Sequence, residues 1–132
     1  MNFLKSILIL TVIVAFSACD RPSVKVVFIP TEKLFYEEIY LLEDETVVWA
    51  YESPHGNVTR KRYEAKVYDD KIEIKTPNGV HTLYRYLLED EVIWIPTQVF
   101  LTMKEKPLTE WNEFLRESLF FRESNSGKLG AF

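Results

Sequence analysis

Between Ser23 and Met103 the chain is dense in Val, Ile, Tyr, Phe and Trp, is interrupted by clusters of turn-forming residues, and in places sets apolar residues at every second position. Tyr63, Ala65 and Val67 alternate with Arg62, Glu64 and Lys66, and Ile72 and Ile74 alternate with Lys71, Glu73 and Lys75. A period of two is the signature of a pleated strand with one face buried. Ser53-Pro54-His55-Gly56-Asn57 reads as a loop, Asp69-Asp70 as a tight turn and Pro77-Asn78-Gly79 as a hairpin signal. The segments between them are read as strands near 24–29, 35–42, 46–52, 60–68, 71–75, 80–88, 92–95 and 98–103. Val92-Ile93-Trp94-Ile95 is apolar on both faces, so another element must cover its outer side. Segment 34–42 is ambiguous, because Leu34, Phe35, Glu38, Leu41 and Leu42 also fit a helical stripe.

An internal echo supports the strand reading of that segment. Tyr40-Leu41-Leu42-Glu43-Asp44-Glu45 recurs letter for letter as Tyr86-Leu87-Leu88-Glu89-Asp90-Glu91. Each copy leads to a Trp, through Val47-Val48-Trp49 and Val92-Ile93-Trp94, but the first carries one extra residue, Thr46. One residue added to an alternating strand would turn every later side chain to the opposite face. Thr46 is therefore expected to be absorbed by a longer turn or a bulge. Two hairpins with similar turn solutions explain the echo more simply than a duplication.

After Pro107 the pattern changes to Leu108, Trp111, Leu115 and Leu119 at spacings of three and four. With Thr109 as a cap, this predicts a helix over 109–121, laid on the doubly apolar strand with Trp111 and Leu115 buried. Residues 124–132, with Ser, Asn and two Gly, are expected to be a loose tail.

The N-terminus carries an address. Lys5 precedes an uncharged run from Ser6 to Ala18, and Asp20, Arg21 and Pro22 end it. The order is that of a secretory signal peptide, and the run is short of the ~20 apolar residues a membrane span needs. Phe16-Ser17-Ala18-Cys19 resembles the lipobox of bacterial lipoproteins, although Phe16 stands where Leu is usual. That resemblance implies cleavage between Ala18 and Cys19, acylation of Cys19, and attachment to a membrane through the lipid. Asp20 resembles the residue that retains enterobacterial lipoproteins at the inner membrane, so its periplasmic face is favoured over the outer membrane. The expected organisation is a signal peptide at 1–18, a lipidated tether at 19–23 and a β-rich domain at 24–123.

Roughly eight short antiparallel strands with one C-terminal helix resemble a small lipocalin-like barrel, with an open meander sheet as the alternative. The Gly-x-Trp signature of lipocalins is absent. The chain's only Cys is taken by the anchor, which leaves none for a disulfide or a thiolate nucleophile. His55 and His81 have no partner at ligand spacing and are read as exposed, with no metal or cofactor implied. The acidic runs 43–45 and 89–91 read as solvated turns, and the four Gly are isolated at 56, 79, 127 and 130, without a phosphate loop. A formal charge of −4 argues against nucleic acid as a partner.

No enzymatic chemistry is supported, and the expected role is a binding module. The first reading is a partner-binding envelope protein of inhibitor, exclusion, immunity or assembly-accessory type. The second is a carrier of a small apolar ligand, and the third is a purely structural lipoprotein. Candidate contact residues are the aromatics Trp49, Tyr51, Tyr84, Tyr86 and Trp94 and the basic run Arg60-Lys61-Arg62.

Overall fold

The computed structural model describes residues 21–31 and 36–132. The expected signal peptide with its cleavage and lipidation positions Ala18 and Cys19, and the Leu34 and Phe35 positions of the alternative helical stripe, lie outside the described residues. Eight strands form a closed antiparallel barrel in sequence order: β1 (Val24–Pro30), β2 (Glu37–Leu42), β3 (Thr46–Glu52), β4 (Val58–Val67), β5 (Lys71–Thr76), β6 (Gly79–Leu88), β7 (Glu91–Pro96) and β8 (Phe121–Ser124). This is the eight-stranded architecture expected of a small lipocalin-like barrel. Short β8 closes it, pairing Phe28 with Glu123 on one side and Trp94 with Phe121 on the other. Closure leaves neither strand 1 nor strand 7 as an open edge.

The alternation read from the sequence sorts side chains into an interior and two outer clusters. Phe28, Ile39, Leu41, Val47, Ile72, Ile74, Leu83, Trp94 and Phe121 fill the interior, with Phe28 edge-on to Trp94 at a centroid distance of 5.3 Å. On the outside of β6 and β7, Leu88, Ile93 and Ile95 are buried beneath two short helices, α1 (Thr97–Lys104) and α2 (Trp111–Arg116). The outer face of the doubly apolar strand is thus covered, as its composition demanded.

Three expected segments differ. Residues 98–103 form helix α1 rather than a strand, because the spacing of Val99, Phe100 and Met103 sets them on one helical face against the cluster around Ile93 and Ile95. The helix expected over 109–121 is a single 3-10 turn at Leu108–Glu110 followed by α2, and the chain then extends into β8. Leu115 is buried and Trp111 half-buried, its indole N–H donating to the Lys106 carbonyl at 3.0 Å, while Leu108 is exposed. The expected loose tail is docked: Leu129 and Ala131 pack on Val27, Tyr40, Leu42, Val48 and Ala50, outside β1–β3.

The echo resolves into two hairpins of different length. Leu88 faces Glu91 across a two-residue turn in which Glu89 and Asp90 both have positive φ, 48° and 68°. Leu41 faces Val47, so Glu43-Asp44-Glu45 forms a three-residue turn with only Glu45 at positive φ, 63°. These are the commonest two- and three-residue solutions for a twisted hairpin. The longer turn absorbs the extra residue, which lets Trp49 and Trp94 both face inward. In each copy the Tyr and the second Leu face outward beneath a cover, the tail for Tyr40 and Leu42 and the helices for Tyr86 and Leu88.

Candidate functional site

The barrel end nearest the β3–β4 and β5–β6 connections opens into a pocket of about 330 Å³. Its floor and walls come from Ile74 on β5, Leu83 on β6, Phe121 on β8 and Leu119 before it. Polar groups converge at the rim: Glu37 at the start of β2, His81 and Thr82 on β6, and Thr97 and Gln98 at the start of α1. Thr97 is fixed by a two-way exchange with β6, its hydroxyl donating to Thr82 O at 3.1 Å and accepting from Thr82 N at 3.2 Å. Trp49 forms a wall of the pocket. Its indole N–H donates to Glu37 Oε2 at 2.9 Å, and its ring meets His81 edge-on at 5.8 Å and 81°.

A second cleft of about 440 Å³ adjoins the first, lined by Tyr51, Lys61, Tyr63 and Asn78. Trp49 and His81 line both spaces, so this edge-to-face pair is the partition between them. A pocket of a few hundred Å³ with apolar walls and a few convergent polar groups is the ordinary form of a small-molecule site.

The expected contact residues divide. Trp49, Tyr51 and Lys61 do meet at this mouth. Trp94 does not. It lies inside the barrel with its N–H on Glu123 Oε1 at 3.0 Å. Tyr84 and Tyr86 face outward beneath the helices, Tyr84 stacked on Phe100 at 3.8 Å and Tyr86 donating to Asn112 Oδ1 at 2.9 Å. Arg60-Lys61-Arg62 is not one basic patch, because neighbours on a strand point to opposite faces. Lys61 lines the mouth, Arg62 pairs with Asp44 at 2.6 Å, and Arg60 donates to the carbonyls of Leu129 and Gly130.

The residues that the sequence reading missed are Glu37, Glu38 and His81. His81 is exposed, as expected, yet it supports the partition. Glu38 is fully buried, an uncommon place for a carboxylate. Burial pushes its pKa up, but N–H donors from Lys128 and Leu129 and the hydroxyls of Tyr40 and Tyr36 outweigh this and hold it below the usual carboxylate value. Burial first, and then the hydrogen bond to Glu38, pushes both Tyr36 and Tyr40 up to about 12. A charged run such as Glu37-Glu38 at a strand start, with opposite faces for its two members, was the available signal. Among the described residues no three of His, Cys, Asp and Glu gather as metal ligands would, and no helix is long and apolar enough to cross a membrane. No family model, curated protein or solved structure matches the chain.

Proposed function

We propose that the protein is a lipid-anchored lipoprotein of the bacterial envelope whose barrel mouth holds a small amphipathic ligand without transforming it. The observation that carries this reading is the 330 Å³ pocket, apolar at its floor and ringed by Glu37, His81, Thr82, Thr97 and Gln98. A ligand with an aromatic or aliphatic body would rest on Leu83, Leu119 and Phe121, and its polar end would meet the rim. The periplasmic face of the inner membrane is the favoured site of anchoring, on the resemblance of Asp20 to a retention residue, with the outer membrane as the alternative.

Native mass spectrometry of the protein extracted gently from its own envelope tests the reading. A stoichiometric small-molecule adduct that disappears in Trp49→Ala and His81→Ala is the expected result. Adduct-free protein in every extract overturns it.

Val80 and Tyr51, both exposed beside the same mouth, support a second reading as a protein-binding module. Under it, one envelope protein co-purifies stoichiometrically and is lost on Val80→Asp, with no small-molecule adduct. The anchor has its own test. Cys19→Ser abolishes fatty-acid labelling and leaves the precursor uncleaved, and labelling that persists in this variant defeats the lipoprotein assignment.

A further inference from the structure

Glu37 and Glu38 are consecutive on β2 and act on opposite faces of the barrel wall. Glu37 holds the indole of Trp49 at the mouth. Glu38 holds the C-terminal segment outside: its Oε1 accepts from Tyr40 Oη at 2.8 Å and Leu129 N at 2.6 Å, and its Oε2 from Tyr36 Oη at 2.9 Å and Lys128 N at 2.8 Å. Gly130 N donates to Tyr40 Oη at 2.7 Å. From the other side Arg60 on β4 donates to the Gly130 and Leu129 carbonyls at 2.9 and 2.6 Å. The approach is so close at Gly127 that a Cβ there would stand 2.1 Å from Tyr40 Oη. Residues 127–130 are therefore a strap fastened to β2 and β4.

The ladder explains why β2 needs this strap. Pairing of β1 with β2 runs from Val24–Leu42 to Phe28–Ile39, and β1 continues along β8 through Ile29–Arg122 and Pro30–Phe121. Glu37 and Glu38 lie beyond the end of the β1–β2 ladder, bound on one side to Tyr51 and Ala50 of β3. The backbone amides of the strap, through the Glu38 carboxylate, restrain this end of β2 where β1 has turned away. The same end carries Glu37, and Glu37 sets Trp49.

We propose that the C-terminal strap is a positioning device for the mouth pocket. By gripping Glu38, residues 127–130 hold the start of β2 so that Glu37 keeps Trp49 in place as the partition, and release of the strap loosens the partition and weakens ligand binding. The functional consequence rests on the ligand-binding reading above, but the coupling between strap and partition is a property of the barrel itself. Glu38 is a positioning residue here, acting through β2.

The chain contains three Trp, and each indole N–H has a different acceptor: Glu37 for Trp49, Glu123 for Trp94 and the Lys106 carbonyl for Trp111. A ¹⁵N spectrum of the full-length protein in detergent micelles therefore reports mouth, interior and helix cover separately. In a chain lacking 127–132, the Trp49 indole hydrogen is expected to exchange about fivefold to tenfold faster, the loss expected for one weakened hydrogen bond, while Trp111 is unchanged. Glu38→Gln in the complete chain is expected to shift Trp49 in the same direction by less. A synthetic peptide of residues 125–132 added to the shortened chain should restore the Trp49 signal. An unchanged Trp49 resonance and exchange rate in both variants, with Trp94 and Trp111 intact, overturns the coupling and leaves the ligand reading standing. Collapse of all three signals on shortening passes the decision to Glu38→Gln, where equal changes at Trp49 and Trp111 overturn it. Adduct-free protein in the mass-spectrometric experiment removes the ligand reading without touching this one.

Discussion

Glu38 makes stability depend on pH, because its carboxylate is buried and bonded to backbone amides of the strap, which hold its pKa below the usual carboxylate value. Its pKa is lowered on folding, so it favours the folded state when charged. The stabilisation is present above the unfolded value and is lost as pH falls through the depressed folded value. Urea unfolding at a series of pH values is expected to show stability falling steadily below the usual carboxylate range, and Glu38→Gln should flatten that fall. Tyr36 and Tyr40 carry the opposite sign. Their pKa values are raised to about 12, so their contribution is complete below 10 and is lost as pH rises toward 12. Absorbance titration at 295 nm should show phenolate still forming near pH 12, and Tyr40→Phe should remove part of that late step. At Gly127 the smallest possible addition is decisive: Gly127→Ala drives a methyl into Tyr40 and Glu38, with an expected cost of about 1–3 kcal/mol by urea melt, unless the strap detaches and exposes Ala131.

Among the elements, α1 and α2 are a lid on apolar strand surface rather than an independent helical unit, since helices of eight and six residues do not persist alone in water. Leu115 is fully buried in this lid and Trp111 only half-buried. Leu115→Ala is therefore expected to cost about 2–5 kcal/mol, and Trp111→Ala less than Leu115→Ala, despite the larger side chain removed. Chemical denaturation of the two variants side by side checks the order. The β6–β7 turn is an element that can be improved. Glu89 and Asp90 both adopt positive φ, where a side chain is strained and Asn-Gly is the preferred pair. Replacing them by Asn and Gly should stabilise the hairpin by about 1 kcal/mol. The lost ion pair between Arg116 and Glu89 is exposed at both partners and offsets little of this gain.

Across the whole molecule, the two barrel ends differ in chemistry. Turns Glu43-Asp44-Glu45, Asp69-Asp70 and Glu89-Asp90 all lie at one end, and the chain enters the barrel there, with Glu43 N donating to Ser23 O at 2.9 Å. The mouth, with Trp49, His81 and Asn78, is at the other end. Cys19 and Val24 are joined by so few residues that even a fully extended tether reaches only about 18 Å. With Cys19 acylated, as proposed, the acidic end would stand over the bilayer and the mouth would open into the aqueous compartment. Spin labels at Asp90→Cys and Asn78→Cys on the lipidated protein in vesicles test this. A lipid-confined relaxant should act more strongly at position 90, and a stronger effect at position 78 would reverse the orientation. In that orientation a ligand of the proposed kind would reach the mouth from solution or from a partner rather than from the leaflet holding the protein.

Much of this fold is written in local pattern. Alternation at 62–67 and 71–75, the Asp69-Asp70 turn, the Pro77-Asn78-Gly79 signal and the repeated hexapeptide specify adjacent hairpins, because each contact joins residues close in sequence. The demand for a cover over Ile93 and Ile95 is equally local, since an apolar residue on each face of a strand needs burial on each. Local pattern also brought Trp49, Tyr51 and Lys61 forward as contact residues. It could not separate them from Trp94, Tyr84 and Tyr86, whose facing depends on the register across turns of two and three residues. Segment 98–103 carried apolar residues compatible with strand or helix, and only the waiting surface of β6 and β7 selects the helix. Strand β8 has four residues, too few for a period to be legible, and forms because β1 and β7 offer it ladders on both sides. Glu38 was invisible as a strap-holder for the same reason. Its partners at Lys128 and Leu129 are about ninety positions away, and closing the barrel brings them together.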